Sequence, residues 1–592
     1  MYVRSTNHRA GTRQRRGVVL LAVLVVVTLL TLAAYQYGNM MLSEYKAADA
    51  SRRTAMARAA AKSGIDYFAA MLTNQDYIQN SLNGNPWDNS SAFQGIVVAD
   101  SDQPRFKTMF SLIAPLDVDT ANGGLTIGNQ VFRYGVIDEG SKLNLQALMQ
   151  LDPSGQIAKT ALMLIPNMTD EASDSILDWI DSRTTMPRPN GAKDMYYTAL
   201  TPPYHCKNGP LDSLGELLLI KGVTPQLLYG NDRNYNGLLD PDENDGSGVV
   251  DRGWSQYLTI YSRELNVDST GNPRIYINDS DLETLYTNLQ NAGIDPELAA
   301  YIIAYRQYGS GSQSSGGAGV TVAFGGAGTP MGGQQMAAPA AAAGGNMANR
   351  AGAAAGAPAA GAAVAPAAAA TNRTGAATGA GAAAQGGGST QRLTRSNLNF
   401  QAGGQANSIS SLYSLINSSV SIPATDSNGN QVQGAQPTVY QSPMSDASSI
   451  RQLFPTLYDK TTTQTNGEFP GRVNVNTATQ EVLSALPGFS SSDVQAIMAN
   501  RPDPSSSTAP DPIFQTPAWL LTEANISATT LQTVDRYVTA RPQVYRVQSV
   551  GYFEGGGPTA RIEAIIDMNA GRPRIIYWRD LTELGKGYDL SQ

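Results

Sequence analysis

Cysteine and histidine are nearly absent from this chain of 592 residues, which has one cysteine, Cys206, and two histidines, His8 and His205. Because a lone cysteine has no partner within the chain, no internal disulfide can stabilise the fold. The shortage also removes the usual ligands of zinc and the commonest general base of enzymes. His205 and Cys206 are adjacent, whereas a nucleophile and its base usually come from separate segments that converge. We therefore predict that the protein is not an enzyme.

Acidic residues outnumber basic residues outside the N-terminus. The formal net charge is −8, and the first 17 residues contain five arginines and no acid, so the rest of the chain is more acidic than the whole. Nucleic acids and anionic membrane surfaces attract concentrated Lys and Arg. The acidic body therefore predicts no nucleic-acid partner.

A long apolar run follows the arginines. Residues 18–34 are uncharged and mostly aliphatic, at the lower edge of the length that spans a bilayer as a helix. The arginines before the run predict a cytoplasmic N-terminus and a translocated remainder. Residues 35–72 continue without proline, which predicts one helix of about 55 residues and about 80 Å. No Ala-x-Ala-like site favours a cleaved secretory signal, whereas an ordinary signal anchor remains an alternative.

The leader and the helix together resemble a type IV prepilin or pseudopilin. A basic leader ends at Gly17 and the apolar helix starts at Val18. In that family a dedicated prepilin peptidase cuts after the glycine, so the resemblance implies cleavage between Gly17 and Val18. Most members carry Glu at the fifth mature position, where this chain has Ala22. That departure resembles the K-type minor subunit, which the family places at the filament tip.

Strand patterns lie at both ends of the chain. Residues 106–146 alternate apolar and polar side chains between turn residues, and the pattern returns near the C-terminus in VYRVQSVGYFEG, ARIEAIIDM and RIIYWRDL. The middle is mainly helical. We therefore predict an α+β fold, with a long N-terminal pilin-like helix and a small α/β pseudopilin domain that carries a large helical insertion.

Three similar segments predict helix-hairpin-helix-like repeats in the helical middle, over 142–183, 274–306 and 472–501. Each has an apolar–Asn pair, a helix, a turn and a second helix. We expect three asparagines to cap the helices that follow them, Asn144, Asn278 and Asn476. We expect the turns at Pro166, Gly293 and Pro487-Gly488. A DNA-binding hairpin has a G-x-G-like turn with basic residues nearby. These turns lack that pattern, so the hairpins are expected to pack helices together.

The sharpest chemical motif is DRNYNGLLDPDE at residues 232–243, which fits the calcium-loop pattern D-x-[DN]-x-[DN]-G-x5-E. Calcium takes six to eight oxygens, and the glycine permits the sharp turn. The expected ligands are Asp232, Asn234, Asn236, the carbonyl of Leu238, Asp240 and Glu243. A plain Asp/Asn/Gly-rich surface turn is the alternative. The predicted site is structural, with an affinity on the order of 10⁻⁴ to 10⁻³ M. A second site built from Asp178, Asp181, Asp242, Asp245 and Asp251 stays open beside the reading of these residues as solvated acids.

These patterns divide the chain into seven predicted regions. They are a leader (1–17), a transmembrane and stalk helix (18–80), the first part of the α/β domain (81–146), a helical insertion with the calcium loop (147–306), a Gly/Ala-rich flexible linker (307–395), a polar stretch with a second helical part (396–540) and the C-terminal strands (541–592). The linker is assigned because residues 307–390 contain no acid and lack the aliphatic periodicity that buries a core.

Further segments are similar to the K-type minor pseudopilins of type II secretion, the general secretion pathway protein K family. They are VIDEGSKLNL, DSILDWIDSR, KNGPLDSLGELLLIKGVT, VNVNTATQEVLSALPG and the closing IIYWRD. The resemblance implies a single-pass inner-membrane precursor with its bulk in the periplasm. It also implies assembly with I-type and J-type minor pseudopilins into a cap that starts the pseudopilus, contact with secreted cargo, and calcium in the helical domain.

Two other functions stay open at this point. One is a membrane-anchored DNA-binding or DNA-uptake protein with helix-hairpin-helix repeats, which the acidic body disfavours. The other is a membrane-tethered periplasmic hydrolase, which would need a converging set of polar side chains.

Overall fold

A computed structural model describes most of the chain. The described residues are 16–73, 78, 82, 84–116, 132–246, 250–310, 392–398, 400, 406–424, 432, 434–503, 506, 510–569, 571–588 and 590. They fall in one compact unit made from both ends of the chain, and a second unit, Ser312–Thr390, lies outside them. Most of the predicted leader and almost all of the predicted linker are therefore also outside the described residues.

The first helix, α1, is unbroken over Arg16–Leu72 and has 57 residues. The single long helix predicted from the sequence is therefore confirmed. The large apolar side chains of its first part, from Val18 to Tyr45, are exposed. Val18–Leu72 is long and apolar enough to cross a membrane. Its last part buries a stripe of side chains at helical spacing on one face, Ala57, Ala61, Ile65, Phe68 and Leu72.

A sheet of seven described strands covers that stripe. The strands are β1 (Ile96–Ala99), β2 (Thr108–Pro115), β3 (Phe132–Arg133), β4 (Ile137–Asp138), β15 (Val544–Phe553), β16 (Ala560–Asp567) and β17 (Arg574–Asp580). The main path is β1-β2-β15-β16-β17, with β3 on β2 and β4 on β15. All of these pairings are antiparallel. The two ends of the chain thus build one sheet, as the strand patterns predict.

Strand β15 is the centre of the sheet. Its residue Gly551 lies opposite Phe110 of β2 and Ala560 of β16. Nearly every residue of β15 is buried, so the strand lacks the alternation of a half-exposed strand. The core between α1 and the sheet is aromatic and aliphatic, and Phe68 meets Phe93 and Tyr545 edge to face.

Thirteen further described α-helices accompany α1. They are α2 (Ser90–Phe93), α3 (Leu145–Leu151), α4 (Gln156–Met163), α5 (Asp170–Ile180), α6 (Asp194–Tyr197), α7 (Pro225–Tyr229), α8 (Leu282–Asn291), α9 (Pro296–Tyr308), α10 (Ala447–Lys460), α11 (Gln480–Ala485), α12 (Ser491–Asn500), α13 (Trp519–Thr522) and α14 (Ala528–Val534). Those from α3 onward share one hydrophobic core, which includes Trp254, Tyr301, Tyr413 and Trp519.

Short strand pairs join distant parts of this helical region. The strands are β5 (Leu143–Asn144), β6 (Leu258–Thr259), β7 (Arg263–Leu265), β8 (Ile275–Tyr276), β9 (Ser419–Ile422), β10 (Thr438–Gln441), β11 (Thr461–Thr462), β12 (Glu468–Pro470), β13 (Val473–Asn474) and β14 (Val538–Thr539). They pair as β5–β6, β7–β12, β8–β11, β9–β10 and β13–β14. The β7–β12 and β8–β11 pairs tie the segment before the Gly/Ala-rich region to the segment after it.

Helix pairs occur in each predicted repeat, although the helix-hairpin-helix assignment itself stays a prediction. The pairs α4–α5, α8–α9 and α11–α12 are in contact. Gly293 and Gly488 lie in the turns of the last two pairs with φ of +82° and +108°, a region that favours glycine.

The expected asparagine caps are correct once and wrong twice. Asn144 accepts hydrogen bonds from the backbone N–H groups of Gln146 and Ala147 and caps α3. The N-caps of α8 and α11 are instead Asp281 and Thr479. Asn278 and Asn476 are not caps because their amides bond backbone groups of other segments, such as Ile409 and Phe514.

Candidate metal loop and the buried junction behind it

The predicted calcium loop follows α7 and turns sharply. Asp232 accepts backbone hydrogen bonds from Asn236 (Oδ1, 3.0 Å) and Gly237 (Oδ2, 2.9 Å). Gly237 has a φ of +68°, and a Cβ there would lie 2.5 Å from Cβ of Pro115. The turn therefore needs glycine at the sixth position of the motif for conformation and for space.

The loop brings the expected side-chain ligands together. Asp240 Oδ2 accepts hydrogen bonds from Nδ2 of Asn234 (2.6 Å) and Nδ2 of Asn236 (2.9 Å). Glu243 Oε1 accepts from the backbone N–H groups of Arg233 (2.8 Å) and Asn234 (3.3 Å). Leu238 donates its N–H to Oδ1 of Asn236 at 2.7 Å. The first, third, fifth, ninth and twelfth positions of the motif are thus connected by one hydrogen-bond network.

One oxygen of the loop is buried without a hydrogen-bond partner. Asn236 is 0% exposed and Glu243 is 4% exposed, and Oε2 of Glu243 has no hydrogen-bond partner. Burial raises the pKa of Asp232 to about 6, and the charge of Glu243 adds to the increase. A buried carboxylate oxygen without a partner is costly. Carboxylate and amide oxygens are the donors that calcium prefers, so the donor set fits this ion.

No group of three or more His, Cys, Asp or Glu side chains in the described residues is placed to hold a metal ion. The loop differs from a ligand cage because Asn234 and Asn236 turn an amide N–H toward Asp240. A calcium ion would take the oxygen of each amide instead. The calcium ligand set, including the Leu238 carbonyl, therefore stays a prediction.

The loop is fastened to the C-terminal strands. Arg561 of β16 is fully buried and donates Nη2 to the carbonyl oxygens of Asn234 (2.9 Å) and Tyr235 (3.1 Å). Tyr588 donates its hydroxyl to the carbonyl of Asn236 at 2.8 Å, and Gln548 donates Nε2 to the carbonyl of Tyr235 at 3.0 Å. The backbone of the loop thus lies at the junction between the helical region and the sheet.

The acids considered for a second metal site do not gather around one point. Asp178 pairs with Arg188 at 2.7 Å, and Asp181 pairs with Arg183 at 3.0 Å and Arg188 at 3.4 Å. Asp242 and Asp245 are exposed. Asp251 accepts a hydrogen bond from the backbone of Gly253. The arginines neutralise the two acids of α5 and its C-cap, so these acids need no metal.

The side chains of His205 and Cys206 lie in different environments. The His205 side chain is mostly exposed, with Nδ1 3.5 Å from Oδ2 of Asp194. Cys206 is buried, and burial raises the pKa of its thiol. A thiol with a raised pKa is a poor nucleophile.

A junction of buried charged residues, which was not predicted from the sequence, lies at the start of the helical region. Glu139 is fully buried and bonds Arg546 of β15 and the hydroxyl of Thr259, and Lys142 lies 3.6 Å away. Burial raises the pKa of Glu139, but Arg546 and Lys142 outweigh it and hold the pKa at about 2. The signal in the sequence was the group of charges within the strand-like segment VIDEGSK.

The neighbouring Asp138 connects this junction to the third repeat. Its Oδ2 accepts hydrogen bonds from Nδ2 of Asn474 (2.7 Å) and Oγ1 of Thr477 (2.8 Å). Burial raises the pKa of Asp138 to about 6. Residues 138 and 139 therefore link the sheet to both halves of the helical region.

Two segments of the chain match a known family. Residues 141–229 and 473–534 match the family described as "Type II secretion system (T2SS), protein K". Both segments are thus similar to type II secretion system protein K, and the resemblance found in the sequence is confirmed for these two segments.

Individual relatives match over short stretches. The putative type II secretion system protein K of Escherichia coli (strain K12) is 46% identical over 59 residues, which cover 10% of this chain and 18% of the relative. Type II secretion system protein K of Aeromonas hydrophila is 40% identical over 57 residues, which cover 10% of this chain and 17% of the relative. The chain thus spans less than a fifth of the length of these curated relatives.

One solved structure aligns over most of its length. The crystal structure of the GspK-GspI-GspJ complex from the type 2 secretion system of enterotoxigenic Escherichia coli gives a TM-score of 0.32 at 10% identity. The alignment covers 91% of this chain and 99% of the solved chain.

Proposed function

We propose that this chain is a minor pseudopilin that caps the tip of a type II secretion pseudopilus and helps to start its assembly for protein export across the outer membrane. The observation that carries the proposal is the combination of the two protein K segments with a single helix, α1, that is exposed and apolar at one end and packed against a sheet at the other.

The two parts of α1 support different roles. Its exposed apolar part would anchor the precursor in the inner membrane, since an exposed helix of this length is stable only in lipid or against other helices. Its second part is fixed to the sheet by the buried stripe from Ala57 to Leu72. The bulk of the chain would then lie in the periplasm at a fixed distance from the membrane.

Assembly would replace lipid by the helices of neighbouring subunits around the apolar part of α1. We propose the I-type and J-type minor pseudopilins as those neighbours. Ala22 leaves this chain without the Glu that neutralises the free amine of a neighbouring mature subunit, which suits a position at the end of the filament rather than within it. Contact with secreted cargo is part of the same proposal.

Processing by a prepilin peptidase at the Gly17–Val18 bond is the step that tests the proposal. We expect the full chain, co-expressed with a prepilin peptidase and the I-type and J-type subunits, to yield a mature protein whose N-terminal sequencing starts at Val18. The processed chain should co-purify with both subunits. Gly17→Val should abolish processing because the peptidase reads the residue before the cut.

Gly11→Val, at another glycine of the leader, is the matched control and should be processed normally. A mature chain that starts elsewhere would contradict the pseudopilin assignment. A correctly processed chain that never co-purifies with the I-type and J-type subunits would contradict the role in the tip complex.

A further inference from the structure

A polar cavity of about 340 Å³ opens between the second and third repeats, away from the metal loop. Its lining includes Arg274 before β8, Arg472 before β13, the end of α10 and the residues that follow α14. Hydroxyl groups of Ser411 and Tyr458 are among the polar groups on its wall. The volume is at the lower end of the range for small-molecule sites.

One of the two inner arginines is fully paired. Arg472 donates Nε to Glu264 Oε2 at 2.8 Å and Nη2 to Glu264 Oε1 at 2.5 Å. Its guanidinium also lies 4.3 Å from the centre of the Phe469 ring. This bidentate pair uses both oxygens of Glu264.

The second inner arginine lacks such a partner. The Arg274 side chain is 4% exposed, yet its nearest carboxylate oxygen is Glu264 Oε1, 3.9 Å from Nη1 and beyond hydrogen-bond distance. Its Nε donates to the carbonyl of Asp459 at 3.0 Å, which is its one hydrogen bond among the described residues. Burial lowers the pKa of Arg274. A buried guanidinium whose terminal nitrogens lack acceptors is costly.

The other charged groups near the cavity do not supply a carboxylate partner for Arg274. Lys460 pairs with Asp268 at 2.8 Å, and Arg541 pairs with Asp459 at 3.3 Å. Asp535 lines the cavity and accepts hydrogen bonds from the hydroxyls of Ser411 and Tyr458, both at 2.9 Å.

The mouth of the cavity carries one more cation, Arg536, whose guanidinium lies 4.8 Å from the centre of the Tyr537 ring. The cavity and its immediate surroundings thus contain the guanidinium groups of Arg274, Arg472 and Arg536 and the carboxyl groups of Glu264 and Asp535. Burial raises the pKa of Asp535, although Arg472 nearby opposes the increase.

We propose that this cavity binds one small oxyanion, a carboxylate or phosphate group, through the terminal nitrogens of Arg274. The planar guanidinium donates in pairs to both kinds of group, and the partly buried position strengthens the interaction. Arg536 attracts the anion at the mouth. Arg274 precedes the Gly/Ala-rich segment and Arg536 follows it, so an anion that contacts both arginines connects the two halves of the helical region.

The test is calorimetric titration of the full chain in detergent with sodium phosphate and, separately, sodium succinate, at an ionic strength held constant with sodium chloride. We expect saturable binding of one equivalent for at least one of the two anions. Arg274→Gln should raise its dissociation constant at least tenfold. Glu264 keeps its pair with Arg472 in this variant, so the fold should persist, as judged by circular dichroism.

Arg451→Gln is the matched control, since Arg451 is an arginine outside the cavity lining that pairs with Asp511 at 3.0 Å. It should bind the anion as the parent does. If Arg274→Gln does not fold, Arg536→Gln at the mouth serves instead and should weaken binding about threefold. If only phosphate or only succinate binds, the result supports the proposal and shows whether the cavity takes a phosphate group or a carboxylate group. Absence of saturable binding for both anions, or equal affinity in the parent and the folded cavity variant, would overturn it.

Discussion

Buried charge is the main feature at the scale of single residues. Glu139 is the clearest case. Its fully buried carboxylate bonds Arg546 and Thr259 and lies near Lys142, at the point where the sheet meets the helical region. Removing one partner of a buried pair leaves the others uncompensated, which costs more than the pair itself contributes.

We therefore predict that Glu139→Gln lowers the free energy of unfolding at pH 7 by about 3 kcal/mol. The pKa of Glu139 is lowered to about 2 in the folded chain, so its contribution is complete above about pH 4.5 and is lost as the pH falls toward 2. Urea unfolding of parent and variant should thus differ at pH 7 and converge near pH 2.

Glu554→Gln is the control for this prediction. Glu554 pairs with Lys107 at 2.9 Å but is largely exposed, and surface pairs contribute less than about 1 kcal/mol. A Glu139→Gln variant as stable as Glu554→Gln at pH 7 would show that the buried junction does not stabilise the fold.

The metal loop gives a second prediction at this scale. Asp232→Asn combined with Glu243→Gln should abolish the rise in melting temperature that millimolar calcium produces in the parent, because two of the expected charged ligands are lost. The measurement is thermal unfolding with calcium and with a chelator. Asp242→Asn, an exposed acid within the same loop, should keep the full calcium response. A double variant that calcium still stabilises as much as the parent would refute the site.

At the scale of elements, the contact between α1 and β15 depends on glycine. A Cβ on Gly551 would lie 2.1 Å from the carbonyl oxygen of Ala57 and 2.5 Å from the backbone nitrogen of Ala61. A Cβ on Gly64 would lie 2.1 Å from Oγ of Ser549. The helix and the sheet thus approach each other with no room for a side chain at these positions.

Gly551→Ala should therefore separate α1 from β15 and lower the free energy of unfolding by about 3 kcal/mol, the upper part of the range for overpacking. Urea denaturation followed by circular dichroism measures the change. Gly467→Ala is the control, because a Cβ there has no neighbour within 4 Å. Equal stability of the two variants would mean that the helix can shift on the sheet at no cost.

In the repeats, one asparagine cap could be predicted from the sequence and two could not. The cap at Asn144 could be predicted because a helix cap is a local interaction. The capping side chain bonds backbone N–H groups only two or three residues further along the chain. Asn278 and Asn476 follow the same local pattern, but their amides bond Ile409 and Phe514 across the core. Such contacts depend on which distant segment lies alongside, and sequence spacing does not encode that.

At the scale of the whole molecule, the helical region is built from both sides of the Gly/Ala-rich segment. One hydrophobic core includes residues from Leu143 to Ala540, and the pairs β7–β12 and β8–β11 connect the two sides. Asp138 adds a polar connection from the sheet to Asn474 and Thr477. The two halves should therefore unfold as one unit.

The long helix, the strands at the two ends and the turns between the paired helices could be predicted from the sequence. Each of these follows from composition, periodicity or spacing within a short window, which local physical chemistry controls. Only the packed structure shows that Arg546 bonds Glu139, that Arg561 donates to the backbone of residues 234 and 235, and that the carboxylate oxygen nearest to the buried Arg274 lies 3.9 Å away. These pairings join residues that lie far apart in the chain, and their energy comes from burial, which exists only after the segments have packed together.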